Sequence, residues 1–250
     1  MKFTIPAPHR NISRMFILAA LLTAAGDRGP AQSPGADLRG IWMAGNKADS
    51  GLERAHVIVD PPDGKIPYQP GAHATQQQNF ANRATADPET KCFQPGVPRA
   101  AWVQSPFQIF QNDRAVYMVY QDVHAYRIIY LDDKPHNEAL AYAMGDSRGH
   151  WEGNTLVADV TSFSDATWLD GAGDFHSEQL HVVERYTRIN RDTLFYEATI
   201  EDPKVFTRPW KIRMPLRLQK GIQIIEDECE EGENGRRHHV NGRKADGAER

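Results

Sequence analysis

The sequence predicts an all-β fold, an antiparallel sheet closed into a barrel or packed as a sandwich, behind a long proline-rich N-terminal arm. From Phe107 onward, short stretches of alternating apolar and polar residues are separated by turn residues, which is typical of half-buried antiparallel strands. Eight of the 16 prolines lie between Pro61 and Pro106, which excludes a regular sheet there. Eight to ten strands in one domain predict a barrel or a sandwich, because a flat sheet leaves two edges open.

The strands are predicted in chain order from turn residues and alternation. Asp37–Trp42 opens the fold, and Phe206–Leu218 has the clearest alternation, with Trp210, Ile212, Met214, Leu216 and Leu218 on one face. Between them we predict strands at Phe107–Gln111, Ala115–Tyr120, His124–Leu131, His150–Trp151, Thr155–Phe163, His181–Ile189 and Thr193–Ile200. A last strand at Gly221–Cys229 is expected to close the series.

The N-terminus has the pattern of a secretory signal peptide. Three basic residues, Lys2, Arg10 and Arg14, precede the apolar run Met15–Ala25, and small residues follow it. The run is too short to span a bilayer, which takes about 20 residues. A buried N-terminal helix is the alternative, although the basic leader argues against it. We therefore predict a signal peptide over 1–26 and an exported protein, periplasmic or secreted.

Composition also divides the rest of the chain. Residues 27–36 have the composition of a linker, and 37–235 are expected to form a single β-barrel domain. Within it, 43–106 are predicted to be an irregular arm or lid with a short helix at Ala72–Asn82. The polar residues 236–250 lack periodicity and are expected to be a disordered tail.

The charge balance excludes one class of partner. The formal net charge is −4, and removing 1–26 would take away three basic residues and no acidic one. An acidic chain without a basic stripe is a poor nucleic-acid ligand. No later apolar stretch approaches the length of a membrane span, so neither nucleic acid nor a membrane span is expected. The oligomeric state does not follow from the sequence.

Cys92 and Cys229 are the only cysteines. In an oxidising compartment such a pair predicts a disulfide, here one that pins the arm. It would close a loop of more than a hundred residues and stabilise the fold by about 4–5 kcal/mol on chain-entropy grounds. Two free thiols are the alternative. Neither cysteine has the neighbouring thiols or histidines of a zinc site.

The first predicted strand carries Gly40-Ile41-Trp42 ahead of an antiparallel meander. This arrangement resembles the lipocalin-like (calycin) barrels. The resemblance implies that the indole lies under the barrel floor against a late basic residue, for which Arg213 or Arg217 is the candidate.

Longer motifs resemble a family of exported bacterial proteins. They cover roughly residues 90–232, and Phe175 and Asn154 depart from the family pattern, where Pro and Asp are frequent. The resemblance implies a secreted lipocalin-like β-barrel and brings no particular reaction with it. The motifs are CFQPGVPR at Cys92, YRIIYLDDKPH from Tyr126, GHWEGNTLVADV from Gly149, WLDGAGDFHSEQLHVVER from Trp168, EDPKVFTRPW from Glu201 and ECEE around Cys229.

Paired histidines and acids are the candidate catalytic groups. His176 and Glu178 are two residues apart, so they share a face if the chain there is extended; Asp122 and His124 form a second such pair. An imidazole beside a carboxylate is the minimal apparatus for proton transfer near neutral pH. We predict His176 as the general base or acid, Glu178 or Asp170 as its orienting carboxylate, and His124 with Asp122 as the opposing proton donor. The alternative is that these are surface or hydrogen-bonded structural residues.

A substrate-binding wall is expected around these groups. Aromatic side chains and one further histidine are the candidates: Trp151, Trp168, Tyr120, Tyr126 and His136. His124, His136 and His176 would suit a metal if they converged, but no short ligand motif supports this, so no metal is predicted.

These observations favour a cofactor-free enzyme, a lyase, hydratase or isomerase that acts on a small apolar or aromatic molecule by His/carboxylate acid–base chemistry in a barrel pocket. Two alternatives stand beside it. One is a periplasmic small-ligand binding or carrier protein without catalysis, and the other is a His-ligated metal enzyme. Convergence of the histidines in one cavity would favour an enzyme.

Overall fold

The computed structural model describes Met1 and residues 35–45, 57–103, 105–226 and 229. Apart from Met1, the predicted signal peptide lies outside these residues, as do most of the linker and the predicted tail. The elements belong to one compact unit, residues 32–250. The strands are β1 (Gly40–Ala44), β2 (Ile58–Asp60), β3 (Phe107–Gln111), β4 (Ala115–Tyr120), β5 (Tyr126–Tyr130), β6 (Asp146–Glu152), β7 (Thr155–Thr161), β8 (His181–Asn190), β9 (Thr193–Glu201) and β10 (Trp210–Leu218).

Nine strands form a closed barrel. The order around the ring is β1-β3-β4-β5-β6-β7-β8-β9-β10, and β10 pairs with β1 to close it. β2 adds to the edge of β10 beside β1. The all-β barrel predicted from the sequence is therefore confirmed. Every neighbouring pair is antiparallel except β5 and β6, which run parallel and pair only at Ile129–Ser147 and Tyr130–Arg148.

The strand predicted at Gly221–Cys229 is wrong for the described part of that segment. Residues 219–226 have no strand pairing, because β1 and β2 together already occupy the free edge of β10. Trp42 pairs with Leu218 at one end, and Lys211 pairs with Asp60 at the other. The barrel is closed by its first strand, and no edge remains for an additional one.

The barrel core follows the alternation of the strands. Trp210, Ile212, Met214 and Leu216 are buried, as predicted for the inward face of β10. Trp42 is fully buried and its indole N–H donates to the Leu38 carbonyl at 2.9 Å. The guanidinium carbon of Arg188 lies 5.1 Å from its ring centroid. The basic residue over this tryptophan is thus Arg188 rather than Arg213, which pairs with Glu197, or Arg217, which donates to Thr193.

The described part of the arm is more regular than predicted. It contains helix α1 (Ala72–Ala86), the one-turn helix α2 (Arg99–Trp102) and a 3₁₀ turn at Pro88–Lys91. α1 extends past the predicted Asn82 and ends immediately before Asp87, because the residue that precedes a proline avoids the helical conformation. The alanine, glutamine and arginine side chains of this stretch favour a helix.

The disulfide joins the arm to the segment that follows β10. Cys92 and Cys229 are bonded, with their Cα atoms 5.6 Å apart, so the pairing predicted from the sequence is present. Among the described residues, no helix combines the length and apolar character needed to cross a membrane.

Candidate functional site

His176 lies in the loop between β7 and β8 and is buried, with 3% of its surface exposed. Its Nδ1 lies 2.9 Å from the Ser177 carbonyl oxygen and its Nε2 lies 2.8 Å from the Thr167 hydroxyl. Because a carbonyl oxygen only accepts, Nδ1 carries the proton and Nε2 accepts from Thr167. Burial lowers the pKa of His176, so the neutral imidazole is favoured.

Glu178 has a different partner. Its carboxylate is more than half exposed and pairs with Lys204. The two residues do not share a face as an extended chain would require, because 178–179 form a turn. Ser177, between them, is held by Asp202, which accepts from its backbone N–H at 2.6 Å and from its hydroxyl at 2.9 Å. The chain therefore reverses direction where the alternation was expected to continue.

Asp170 organises the same loop. Its Oδ1 accepts from the backbone N–H groups of Ala172 at 2.8 Å and Asp174 at 3.1 Å. The negative charge of Asp170 also attracts the Arg99 guanidinium of the arm. That guanidinium makes two hydrogen bonds to Asp87, at 2.8 and 2.9 Å. The hydrogen bonds of Asp170 thus position backbone in the loop.

The arm covers this loop. Gln76 donates to the Ala172 carbonyl at 2.7 Å, and the Tyr68 hydroxyl donates to Asp174. Gly173 has φ of +81°, and a Cβ there would come within 2.7 Å of Asn79 and Phe80 in α1. Burial raises the pKa of Asp174 well above its usual value, which favours its protonated form. The predicted catalytic loop is therefore buried under the arm.

The second predicted pair, Asp122 and His124, lies elsewhere. The two residues form a 3₁₀ turn before β5, and His124 is exposed with φ of 50°. This turn delays the start of β5 to Tyr126 instead of the predicted His124.

His136, predicted to contact substrate, belongs to a chain of hydrogen-bonded histidine and aspartate side chains on the outside of the barrel. Its Nδ1 lies 3.1 Å from Asp146 and its Nε2 lies 2.9 Å from Asp159. The other oxygen of Asp159 lies 3.1 Å from Nε2 of His181. The hydrogen bond with Asp159 raises the pKa of His181, and the same bond lowers the pKa of Asp159. His181 shared no predicted role with His136, and no short-range pattern in the sequence links them.

The predicted histidines thus have three separate environments. His124 is in an exposed turn, His136 is on the outer wall, and His176 is under the arm. Within the described parts of the chain, no group of three or more His, Cys, Asp or Glu side chains has the arrangement of a metal site.

The barrel interior holds a polar network that the sequence analysis did not select. Arg127 of β5 pairs with Glu184 of β8, and both side chains are almost completely buried. Nε of Arg127 donates to Ser147 at 2.8 Å. Glu184 also accepts from Tyr186 at 3.0 Å and Tyr196 at 2.8 Å. The sequence feature that could have revealed this network is a charged residue at an inward-facing position of each of the two strands.

Electrostatics fix the charges of this network. Burial opposes the charge on Arg127, but the attraction of Glu184 outweighs it and raises the pKa of the guanidinium. Burial raises the pKa of Tyr120, predicted to bind substrate, to about 12. Its hydroxyl lies 3.3 Å from the Met118 sulfur. Tyr120 is therefore an uncharged part of the interior.

A cleft opens in the barrel wall where β6 leaves β5. It has a volume of about 530 Å³, within the range of small-molecule sites. Its lining combines aromatic, apolar and polar residues from β5, from the segment that leads into β6 and from the arm, including Tyr126, Arg127, Ile128, Tyr130, Tyr142, Met144, Ser147 and Gln94. Of the predicted substrate-binding residues, Tyr126 lines this cleft, whereas Trp151 and Trp168 are partly buried outside it.

The chain was compared with protein-family models, with curated proteins and with solved structures. None of the three comparisons gives a match. The functional argument therefore depends on the residues of the cleft and of the loop.

A second hollow, of about 610 Å³, lies on the arm itself. It is lined by one continuous stretch, residues 64–76, with the rings of Tyr68 and His73 stacked 5.6 Å apart. No barrel strand contributes to its lining, whereas the cleft at β5 and β6 combines three distant parts of the chain.

Proposed function

We propose that this protein is an exported lipocalin-like barrel that binds a small, uncharged, partly aromatic molecule in the cleft between β5 and β6. The observation that carries the proposal is the interruption of the wall at these two strands. Their pairing is limited to two residue pairs, and the cleft begins where the pairing stops. Export is supported by the apolar run Met15–Ala25 behind a basic leader and by the disulfide.

The charges around the cleft support an uncharged ligand. The guanidinium of Arg127 at the floor is paired with Glu184 inside the barrel. Asp146 at the rim pairs with Arg148 at 3.1 Å. Burial alone would raise the pKa of Asp146, but bonds from the Asn137 N–H, Arg148 and His136 outweigh it and lower that pKa. Each charge has its partner within the protein, so a charged ligand gains no counterion here.

The walls support an aromatic ligand. Tyr126, Tyr130 and Tyr142 all line the cleft, and Tyr126 is 65% exposed. Tyrosine provides a flat apolar surface together with a hydroxyl that can orient a polar group. Ligand sites of this size are commonly apolar with a few polar groups that fix orientation.

Acid–base catalysis at His176 stays a prediction. Both ring nitrogens of His176 have partners in the loop, and the arm covers that loop. Catalysis at His176 would require the arm to move away from this loop, whereas binding in the cleft requires no rearrangement. We therefore favour the carrier function over the lyase, hydratase or isomerase function.

A blocked cleft tests the proposal. Neutral aromatic compounds would be screened by thermal shift, with N-phenyl-1-naphthylamine as a fluorescent probe, and positive compounds would be titrated. Ala141 lines the cleft and is exposed, so Ala141→Trp should weaken binding at least tenfold at an unchanged melting temperature. Ala84→Trp, on an exposed position of α1, is the matched control and should bind as wild type. Compounds that bind equally well to Ala141→Trp would contradict the proposal.

A further inference from the structure

The outward positions of β3, β4 and β5 carry no charged residue, and the one cation recorded against them is the Arg148 guanidinium of β6, 5.0 Å from the Tyr130 ring centroid at the edge of this face. We call this the neutral face, and in strand register it places Phe110 opposite Tyr117 and Val119 opposite both Gln108 and Tyr126. Phe110 is 47% exposed and Tyr126 is 65% exposed. Its seven exposed or partly exposed residues are Gln108, Phe110, Tyr117, Val119, Tyr126, Ile128 and Tyr130, and the eighth outward position, Ala115, is buried.

The opposite wall is different. On β8, β9 and β10 the outward positions bring Arg185 beside Glu197, and Glu197 beside Arg213. Arg213 and Glu197 form an ion pair on this surface. Antiparallel sheets with one solvated face normally carry polar residues there. The loss of charge is therefore a local property of β3–β5, and a large exposed apolar patch is a sign of an interaction site.

We infer that the neutral face pairs with the neutral face of a second copy of this chain. Protein interfaces are enriched in Tyr and Phe and depleted of charge at their centre, and a polar rim surrounds the centre. The turns at the two ends of the face supply such a rim. Asp113, Arg114, Asp132 and Lys134 lie at one end, where the Leu131 N–H donates to the Arg114 carbonyl, and Asp122 and His124 lie at the other.

Charge also favours a second copy. The chain has a net charge of −4, so two copies repel one another in most orientations. A face without charge can meet its own copy without bringing like charges together. Such self-complementary pairing is what a two-fold symmetric dimer requires.

The area fits a dimer. Three exposed aromatic side chains of about 200 Å² each, at the exposures of Phe110, Tyr126 and Tyr130, offer roughly 300 Å². With the other four residues the face reaches about 500 Å², so two faces bury about 1,000 Å², the lower limit for a specific interface. We therefore expect a reversible dimer of micromolar affinity.

The neutral face is continuous with the cleft. Tyr126, Ile128 and Tyr130 belong to both, so the second copy would lie at the cleft mouth and help to enclose the ligand. This last consequence depends on the proposed binding function, whereas the dimer itself does not.

Sedimentation velocity of the full mature chain over a concentration series tests the inference. Wild type should change from monomer to dimer between about 1 and 100 µM, as expected for micromolar affinity. Val119→Lys places a charge at the centre of the face, and Phe110→Lys places one at its edge; each should weaken the dimer at least tenfold. Phe195→Lys is the matched control, because Phe195 is equally exposed on β9, and it should leave the dimer intact.

Three outcomes would overturn the inference. The first is a wild type that is monomeric at 100 µM. The second is a dimer that persists in both lysine variants while circular dichroism shows that they are folded. The third is a monomeric wild type that cosediments with phosphatidylcholine vesicles, with cosedimentation lost in Val119→Lys. The last outcome would assign the face to a lipid surface. The dimer is measured without ligand, so failure of this inference is distinguishable from failure of the proposed binding function.

Discussion

Arg127 and Glu184 form an ion pair across the interior of the barrel, between β5 and β8. Glu184 is fully buried and also receives hydrogen bonds from Tyr186 and Tyr196. Several donors thus fix the position of this carboxylate, and it in turn holds the guanidinium at the floor of the cleft. The pair thus couples the stability of the core to the shape of the candidate binding site.

Removal of one member of this pair should be costly. Arg127→Met leaves Glu184 buried without its cation, and we expect the free energy of unfolding to fall by about 3–5 kcal/mol. Arg127→Met combined with Glu184→Gln keeps an oxygen acceptor for the two tyrosines and should recover more than half of that loss. Urea unfolding of both variants measures the difference. A double variant no more stable than Arg127→Met would count against the pairing.

The disulfide should matter both for stability and for binding. Cys92 and Cys229 are 137 residues apart, so the double substitution to serine should lower the free energy of unfolding by about 5 kcal/mol in the chain-entropy model. Because Gln94 lines the cleft two residues from Cys92, ligand affinity should fall as well. Denaturant midpoints and ligand titrations are the measurements. Wild-type midpoints in the serine variant would disprove the stabilising role.

His176→Ala distinguishes a structural histidine from a catalytic one. The substitution leaves the Thr167 hydroxyl and the Ser177 carbonyl without their partner in a buried site, and we expect a loss of about 2–4 kcal/mol. Since burial lowers the pKa of His176, the wild type should also lose stability as the pH falls below 6.5, and this dependence should diminish in His176→Ala.

His150→Ala is the control for this experiment, because His150 is exposed and pairs with Glu152 on the surface; its stability should stay within about 0.5 kcal/mol of wild type. An unchanged melting temperature in His176→Ala together with loss of a measured turnover would instead support the catalytic role predicted from the sequence.

The bond between His181 and Asp159 predicts a pH window. The pKa of His181 is raised from 6.5, so its stabilising effect is complete below that value and is lost as the pH rises through the raised pKa. The pKa of Asp159 is lowered from 3.8, so its effect is present above that value and is lost as the pH falls further. The bond should therefore stabilise most between about pH 4 and 6.5.

Asp159→Asn measures this effect. Both side chains are more than one third exposed, so solvent screening limits the expected difference to about 0.5 kcal/mol at pH 5.5 and less at pH 8.5. Thermal unfolding at the two pH values, with Glu138→Gln as an exposed control, makes the comparison. An equal effect at both pH values would be inconsistent with the assigned pKa directions.

Local patterns predicted most of the strands, although β2 lies inside the predicted irregular arm and β6 was predicted only at His150–Trp151. Phe107–Gln111 and Ala115–Tyr120 match β3 and β4 residue for residue, because alternation between turn residues is a property of adjacent residues. The closure of the ring was not predictable in this way. It depends on which strand reaches the edge of β10, and that strand is β1 from the start of the fold.

The candidate site was harder to predict for the same reason. The expectation that His176 and Glu178 share a face assumed an extended chain, whereas Ser177 is fixed by the distant Asp202 and a turn follows. Arg127 and Glu184 lie 57 residues apart, and only the closed barrel brings them together. Contacts between distant strands determine the chemistry of this protein, and the spacing of residues along the chain does not record them.

The two-residue junction between β5 and β6 has a consequence for solubility. Neighbouring strands elsewhere in the ring share at least three residue pairs, so this junction is the shortest stretch of hydrogen bonds in the wall. If β5 and β6 separated here, the barrel would become an open sheet with two unpaired edge strands, which are templates for pairing with other molecules. A ligand bound tightly at this junction would then keep β5 and β6 together and so protect the protein against aggregation.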